Sequence, residues 1–122
     1  MSIFGKIARL RVFDFDSEPA RLITQFGSER ANVTPLTLPE GEAHVVCIRL
    51  GTAGVLGRHA GRIDQLFVVV QGEGWASGPG GDRMPISAGT AVYWAAGEEH
   101  ETGSDNGLTA IVVESERIAV RG

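Results

Sequence analysis

The stretch that decides the fold runs from Gly57 to Gly72 and reads GRHAGRIDQLFVVVQG. Its second half, QLFVVVQ (65–71), is apolar and rich in β-branched residues, which predicts a strand bounded by glycines. That apolar strand nevertheless begins with Gln65, six residues after His59. Because residues 66–70 show no alternation of apolar and polar side chains, we expect both faces of the strand to be dry. The second dry face is expected to be a subunit interface in a homodimer.

Further short strands are predicted on both sides of this stretch, and turn residues separate them. They are 7–15, 43–50, 75–77 (after a tight turn at 72–74), 84–86, 90–94 and 108–114. Glycine makes up 17 of the 122 residues, and no window keeps a helical period. The pattern therefore predicts an all-β sandwich or barrel in a single domain, residues 1–122.

Three segments have less regular predictions. Residues 30–42, with two prolines and a glycine, are expected to form an extended loop, and the glycine-rich segment 51–61 an irregular one. Residues 17–29 fit either a short strand or one helical turn. The N-terminal strand 7–15 is expected to pair with the barrel or across a dimer.

Composition excludes several classes of protein. The net charge is −4 and no basic stripe is present, which argues against nucleic-acid binding. No apolar run is long enough to cross a membrane, and no signal peptide is recognisable, so we expect no membrane partner. The only cysteine, Cys47, can form no internal disulfide, which favours the cytoplasm, and its apolar neighbours predict a small buried side chain.

A second segment, GTAVYWAAGEEHETGS from Gly89 to Ser104, also carries a histidine. Together the two segments resemble the two motifs of the cupin family, over about residues 54–104. In the first motif His59 takes the position of the first histidine, Gly61 that of the second and Gln65 that of the glutamate. The closing glycine is Gly72.

The second motif matches in spacing as well. Its positions correspond to Gly89, Ala95, Gly97, His100 and Ser104. The resemblance implies a double-stranded β-helix, or jelly-roll, in a small cupin domain. It also implies that strands bring His59 and His100 together, with His100 at a turn and His59 just before its strand.

The resemblance implies a metal site made by His59, Gln65 and His100. Two histidines and one carboxylate form the facial triad of non-haem iron enzymes, and imidazole also binds Ni, Zn and Mn. Here an amide replaces the carboxylate at Gln65, and Gly61 replaces the second histidine. A divalent metal (Mn, Fe, Ni or Zn) is therefore expected to bind weakly, if the site holds metal at all, and no organic cofactor is implied.

The interior of the barrel is expected to form a ligand pocket lined by His44, Phe67, Val69 and Trp94. Gln65, Phe67 and Val69 share one face of their strand because side chains alternate. In strand 43–50, solvent-seeking Arg49 would turn Val45 and Cys47 outward and His44 inward. His44 then serves as a third metal ligand, a ligand contact or a core histidine. The tryptophans serve as packing residues or as substrate platforms.

Three functions compete at this point. The first is the binding of a small molecule in the barrel, with or without a metal. The second is a metal-dependent enzyme, an oxygenase or isomerase, with an open position at Gly61 and catalytic residues that the sequence does not identify. The third is a non-catalytic regulatory or structural protein. The two retained histidines favour the first two, whereas the missing ligands favour the first over the second.

Overall fold

The structure, a computed structural model, describes residues 10–122, and nearly all of its regular structure is β. The elements are β1 (Arg21–Leu22), a 3₁₀ turn (Gln25–Gly27), β2 (Glu29–Pro35), β3 (His44–Ala60), β4 (Asp64–Ser77), β5 (Arg83–Ser87), β6 (Ala91–Trp94), β7 (Glu99–Ser104) and β8 (Leu108–Ser115). The all-β prediction is confirmed.

Two long strands, β3 and β4, close the barrel because each belongs to both of its sheets. The first halves of β3 and β4 both pair with β8, while β2 and β6 extend this sheet on its two sides. The second halves of β3 and β4 both pair with β7, and β5 extends the other sheet. All of these pairings are antiparallel, as in a jelly-roll.

The length of β3 and β4 corrects two predictions. Residues 51–60, expected to be irregular, continue β3, and residues 72–74, expected to be a tight turn, lie inside β4. Gly72 shows why: its φ is +82°, and a Cβ there would lie 2.3 Å from the carbonyl oxygen of Gly107. Glycine therefore lets β4 bend from one sheet into the other instead of ending it.

Two other predictions fail near the N-terminus. Residues 10–15 form no strand, and residues 7–9 of the expected strand 7–15 lie outside the described part of the chain. The side chain of Asp14 accepts hydrogen bonds from the Asp16 amide (3.0 Å) and the Ser17 hydroxyl (2.9 Å), which holds a turn there. The loop expected at 30–42 is instead strand β2 up to Pro35. Residues 17–29 contain both elements that were left open, β1 and the 3₁₀ turn.

The core lies between the two sheets, and β4 supplies its centre. Phe67 and Val69 are 1% exposed, while Val70 on the other face is 51% exposed. That outer face is partly covered by the chain's own C-terminal tail, which Asp64 anchors by accepting a hydrogen bond from the amide of Ile118 (3.1 Å). The second face of the 65–71 strand is thus only partly shielded from solvent.

Cys47 is buried, as predicted, and forms no disulfide. It is fully buried even though Arg49 was expected to turn it toward solvent. The Arg49 side chain folds back onto the ring of Phe15 and the carboxylate of Asp16, so this part of β3 does not face open solvent. Burial raises the pKa of the Cys47 thiol, with Arg49 opposing the shift.

Candidate functional site: two imidazoles at the inner end of the barrel cavity

The pairing of β3 with β7 places two histidines opposite each other. His59 and His100 are direct partners in this register, and their ring centroids lie 4.5 Å apart with the planes at 61°. Both residues belong to strands, His59 near the end of β3 and His100 near the start of β7. The structure therefore brings the two histidines together, but His100 does not lie at a turn and His59 does not precede its strand.

Each ring is fixed by a main-chain carbonyl two residues earlier. Nδ1 of His59 lies 2.7 Å from the oxygen of Gly57, and Nδ1 of His100 lies 3.2 Å from the oxygen of Glu98. Because a carbonyl can only accept, Nδ1 carries the proton in both rings and Nε2 keeps its lone pair. Outer hydrogen bonds of this type orient metal-binding histidines.

Nε2 of His100 is the most informative atom of the site. It is fully buried and has no hydrogen-bond partner among residues 10–122. Burial lowers the pKa of His100, and the hydrogen bond to the Glu98 carbonyl opposes that shift only in part. The ring is therefore neutral at pH 7, with a buried lone pair that no donor within residues 10–122 faces.

An aromatic ring stacks against each imidazole. Phe26 stacks on His59 at 4.2 Å between centroids, and Trp94 stacks on His100 at 4.3 Å. Nε1 of Trp94 donates to the carbonyl of Ser77 at 3.1 Å, and Phe67 meets the indole edge-on. Trp94 therefore acts as a packing residue that positions His100.

Gln65 lies close to the two histidines, and Gly61 shows how close. A Cβ on Gly61 would lie 3.3 Å from Cε1 of His100 and 3.5 Å from Nε2 of Gln65. The His100 ring and the Gln65 amide thus already occupy the space beside Gly61. The position expected to be open at Gly61 is therefore bordered by both groups, and a side chain there would need the His100 ring to shift by a few tenths of an ångström.

A carboxylate that the sequence analysis missed completes the cluster. Glu114 of β8 is the register partner of Gln65, and its Oε2 accepts a hydrogen bond from the Gln65 amide nitrogen at 2.5 Å. Alternation along β8 could have found it, because Ala110, Val112 and Glu114 share one face and the first two are buried. The sequence signal is a glutamate at the end of an apolar strand.

His59, Gln65 and Glu114 line a cavity of about 490 Å³, within the usual size range of small-molecule sites. His100 lies against His59 and does not itself line this cavity. Its polar wall comes from His59, Gln65 and Glu114, with Arg21, Thr24 and Gln25 toward the β1 side. Its apolar wall is formed by Leu22, Ile23, Phe26, Val33, Val46, Ile48, Leu56, Phe67 and Val112. About half of the cavity surface is polar, so the barrel can enclose a small molecule that has both polar and apolar parts.

Three residues expected in the pocket lie elsewhere. Val69 belongs to the closed core, and Trp94 lies behind His100. His44 lies at the start of β3, where Nε2 is 3.3 Å from the carbonyl oxygen of Pro39, and it is not among the residues that line the cavity. Phe67 does line it.

The donor set fits a divalent metal only in part. Two neutral imidazoles and an amide oxygen suit Zn, Ni or Fe better than the hard cations. No group of three or more His, Cys, Asp or Glu side chains that could hold a metal occurs within residues 10–122. Any metal bound here would thus depend on the two imidazoles and on Gln65, whose amide is hydrogen-bonded to Glu114.

Comparisons with known proteins identify the fold of the chain. No family model matches the chain, and no curated protein matches it in sequence. Solved structures do match. The polyketide cyclase RemF from Streptomyces resistomycificus has a TM-score of 0.78 at 14% identity, covering 89% of this chain and 81% of that one. A predicted oxalate decarboxylase from Thermotoga maritima has a TM-score of 0.77 at 19% identity, covering 86% and 98% of the two chains.

A third match is an RmlC-like cupin from Shewanella frigidimarina, with a TM-score of 0.74 at 18% identity over 89% of this chain and 93% of that one. At these identities the likeness concerns the fold alone. The chain has the fold of a small cupin domain, which confirms the expected jelly-roll. In the part of the chain that the structure describes, no helix is long and apolar enough to cross a membrane.

Proposed function

We propose that this cupin-fold chain binds a small organic molecule in its barrel cavity, with His59, Gln65 and His100 as the polar anchors at the inner end. The observation that carries this proposal is a cavity of about 490 Å³ whose polar wall includes His59 and Gln65. Next to His59, the buried Nε2 of His100 has no partner within residues 10–122. A buried polar atom without a partner costs stability, so a bound group that satisfies it is favoured.

The second Nε2 atom supports the same proposal. Since Nδ1 of His59 is occupied by the Gly57 carbonyl, its Nε2 can accept a hydrogen bond from a ligand or bind a metal. If a divalent metal is bound, His59, Gln65 and His100 would hold it. It would then act as a Lewis acid on an oxygen of the organic molecule.

Binding is favoured over metal-dependent catalysis by the surroundings of Gly61. An oxygenase or isomerase would need room beside the metal for substrate or dioxygen, and the His100 ring and Gln65 amide lie within 3.5 Å of where a Cβ on Gly61 would be. The barrel does, however, keep a cavity lined by His59 and Gln65 that is large enough for a ligand.

The test begins with protein purified without a metal-chelating column. Native mass spectrometry and elemental analysis report copurified molecules and metals, and ligand-observed NMR with a fragment set reports binding by the emptied protein. We expect bound fragments or a copurified molecule, and we expect His59→Gln to abolish the binding.

His44→Gln is the matched control, because this histidine contacts Pro39 and does not line the cavity. The proposal is overturned if no molecule binds the wild-type protein, or if His59→Gln binds as well as wild type. A loss of binding in His44→Gln alone would place the ligand in the pocket first expected around His44.

A further inference from the structure

The inner end of the cavity presents acceptors to whatever binds there. In the neutral form each histidine keeps a lone pair on Nε2, because Nδ1 of each ring faces a carbonyl. His59 lines the cavity, and His100 lies against His59. The Gln65 amide nitrogen donates one of its two N–H groups to Glu114, and the amide oxygen adds a further acceptor. A cluster of lone pairs attracts a hydrogen-bond donor or a cation and disfavours an anion.

Glu114 adds a negative charge to this cluster. It is half-buried on β8, lines the cavity, and uses one carboxylate oxygen on Gln65. None of the three ion pairs formed among residues 10–122 includes it. Arg21 lines the same cavity from β1 but is exposed and makes no ion pair with Glu114. The carboxylate is therefore uncompensated within the described residues.

Strand register explains why Glu114 can act with Gln65. Gln65 on β4 and Glu114 on β8 are direct partners, so their side chains leave the same face of the same sheet. Replacing the carboxylate expected at position 65 by an amide thus does not remove negative charge from the site. The negative charge lies one strand away, on the carboxylate that accepts from the Gln65 amide.

We infer that Glu114 makes the inner end of the cavity selective for a positively charged group. The group is either a divalent metal ion or a protonated amine at the end of an organic ligand. This inference rests on the proposed function in that the cavity is taken as the binding site. It goes further because it names the charge of the occupant and the residue that selects it.

The experiment uses the full chain, emptied with a chelator and dialysed, and three probes in calorimetry. Zn²⁺ alone represents the metal. Benzylammonium represents the organic cation, and benzoate has the same ring with the opposite charge. We expect Zn²⁺ or benzylammonium to bind at least tenfold more tightly than benzoate, which corresponds to about 1.4 kcal/mol. If Zn²⁺ binds, the occupant is a metal ion, and if benzylammonium binds, it is an organic amine.

Three variants assign the selectivity to Glu114. Glu114→Gln keeps the size and can still accept from the Gln65 amide, so we expect a loss of cation affinity of at least tenfold with the fold retained. The double variant Gln65→Glu with Glu114→Gln returns one carboxylate to the pair and should restore cation binding. Glu73→Gln removes an exposed carboxylate from the other end of β4 and should bind like wild type.

Two outcomes overturn the inference. If Glu114→Gln binds the cation as tightly as wild type, or if the double variant fails to recover binding while thermal unfolding shows it folded, Glu114 does not select the occupant. If the wild-type protein binds no cation, or binds benzoate equally well, the site is not cation-selective. Neither outcome removes the proposed function, which the copurification and His59→Gln experiments decide separately.

Discussion

Replacing Gln65 by glutamate gives the sharpest perturbation of this site. In the wild type, the amide nitrogen of Gln65 donates to the Glu114 carboxylate at 2.5 Å. The variant replaces that donor by a second carboxylate oxygen at nearly the same size. It therefore removes a hydrogen bond to a charged group and places two like charges next to each other inside the barrel.

The magnitude follows from these two effects. A hydrogen bond to a charged group contributes about 1.5–3 kcal/mol. Two like charges about 4 Å apart repel by about 4 kcal/mol at an effective dielectric constant of about 20, until one of them binds a proton. Because proton uptake relieves most of the repulsion, we expect Gln65→Glu to lose roughly 2–4 kcal/mol of unfolding free energy at pH 8.

The same reasoning fixes the pH dependence. The adjacent carboxylates share a proton in the folded variant, which raises the pKa of the pair above that of the two groups in the unfolded chain. The folded state then binds more protons, so the stability of the variant relative to wild type should recover as the pH falls from 8 toward 5. Urea unfolding followed by circular dichroism at both pH values, in the presence of EDTA, measures this.

The matched control is the double variant Gln65→Glu with Glu114→Gln, in which one amide again faces one carboxylate. Its unfolding free energy should lie within about 1 kcal/mol of wild type. The reasoning is refuted if Gln65→Glu alone is as stable as wild type at pH 8, or if the double variant is no more stable than the single one.

Three further predictions concern other parts of the molecule. Burial holds the pKa of His100 below 6.5, so the unfolded chain binds more protons at this residue than the folded chain does. The unfolding free energy should therefore fall as the pH drops below about 6.5, by up to ~1.4 kcal/mol per pH unit. In urea titrations His100→Asn should lose this pH dependence, and an unchanged slope would contradict the prediction. Cys47, buried with a raised pKa, should react with a thiol reagent only after unfolding, and rapid labelling of the folded protein would contradict its burial. The chain should form a homodimer through the outer face of β4, where Val70 is 51% exposed, and light scattering that gives a monomer mass at micromolar concentration would contradict this.

The sequence predicts the fold and the meeting of the histidines because both are set by short spacings. Glycines, turn residues and apolar strands locate β6 and β8. The two motif spacings predict that His59 and His100 meet, although both residues lie inside strands and not beside them as expected. The shape of β3 and β4 was not predictable in this way. Glycine breaks many strands but at Gly72 it lets one strand bend between sheets, and the local pattern is the same in both cases.

Glu114 and Gly61 show the other limit of sequence reasoning. The contact of Glu114 with Gln65 depends on the register of β8 against β4, which joins residues 49 positions apart. The approach of the His100 ring to Gly61 depends on how Trp94 packs against that ring, and no sequence spacing predicts it. Both features arise from non-local packing, and both bear directly on what the site can bind.

The measurement that most directly tests the proposed site is NMR of the protein with ¹⁵N-labelled histidine, titrated with Zn²⁺. The chain has only 3 histidines, so each ring can be assigned by substitution. We predict that His59 and His100 both carry their proton on Nδ1 at pH 7.5, and that Zn²⁺ shifts the Nε2 signals of both together while His44 stays unchanged. Protonated Nε2 atoms in the metal-free protein, or a Zn²⁺ response confined to His44, would contradict the convergence of two available imidazoles on one site.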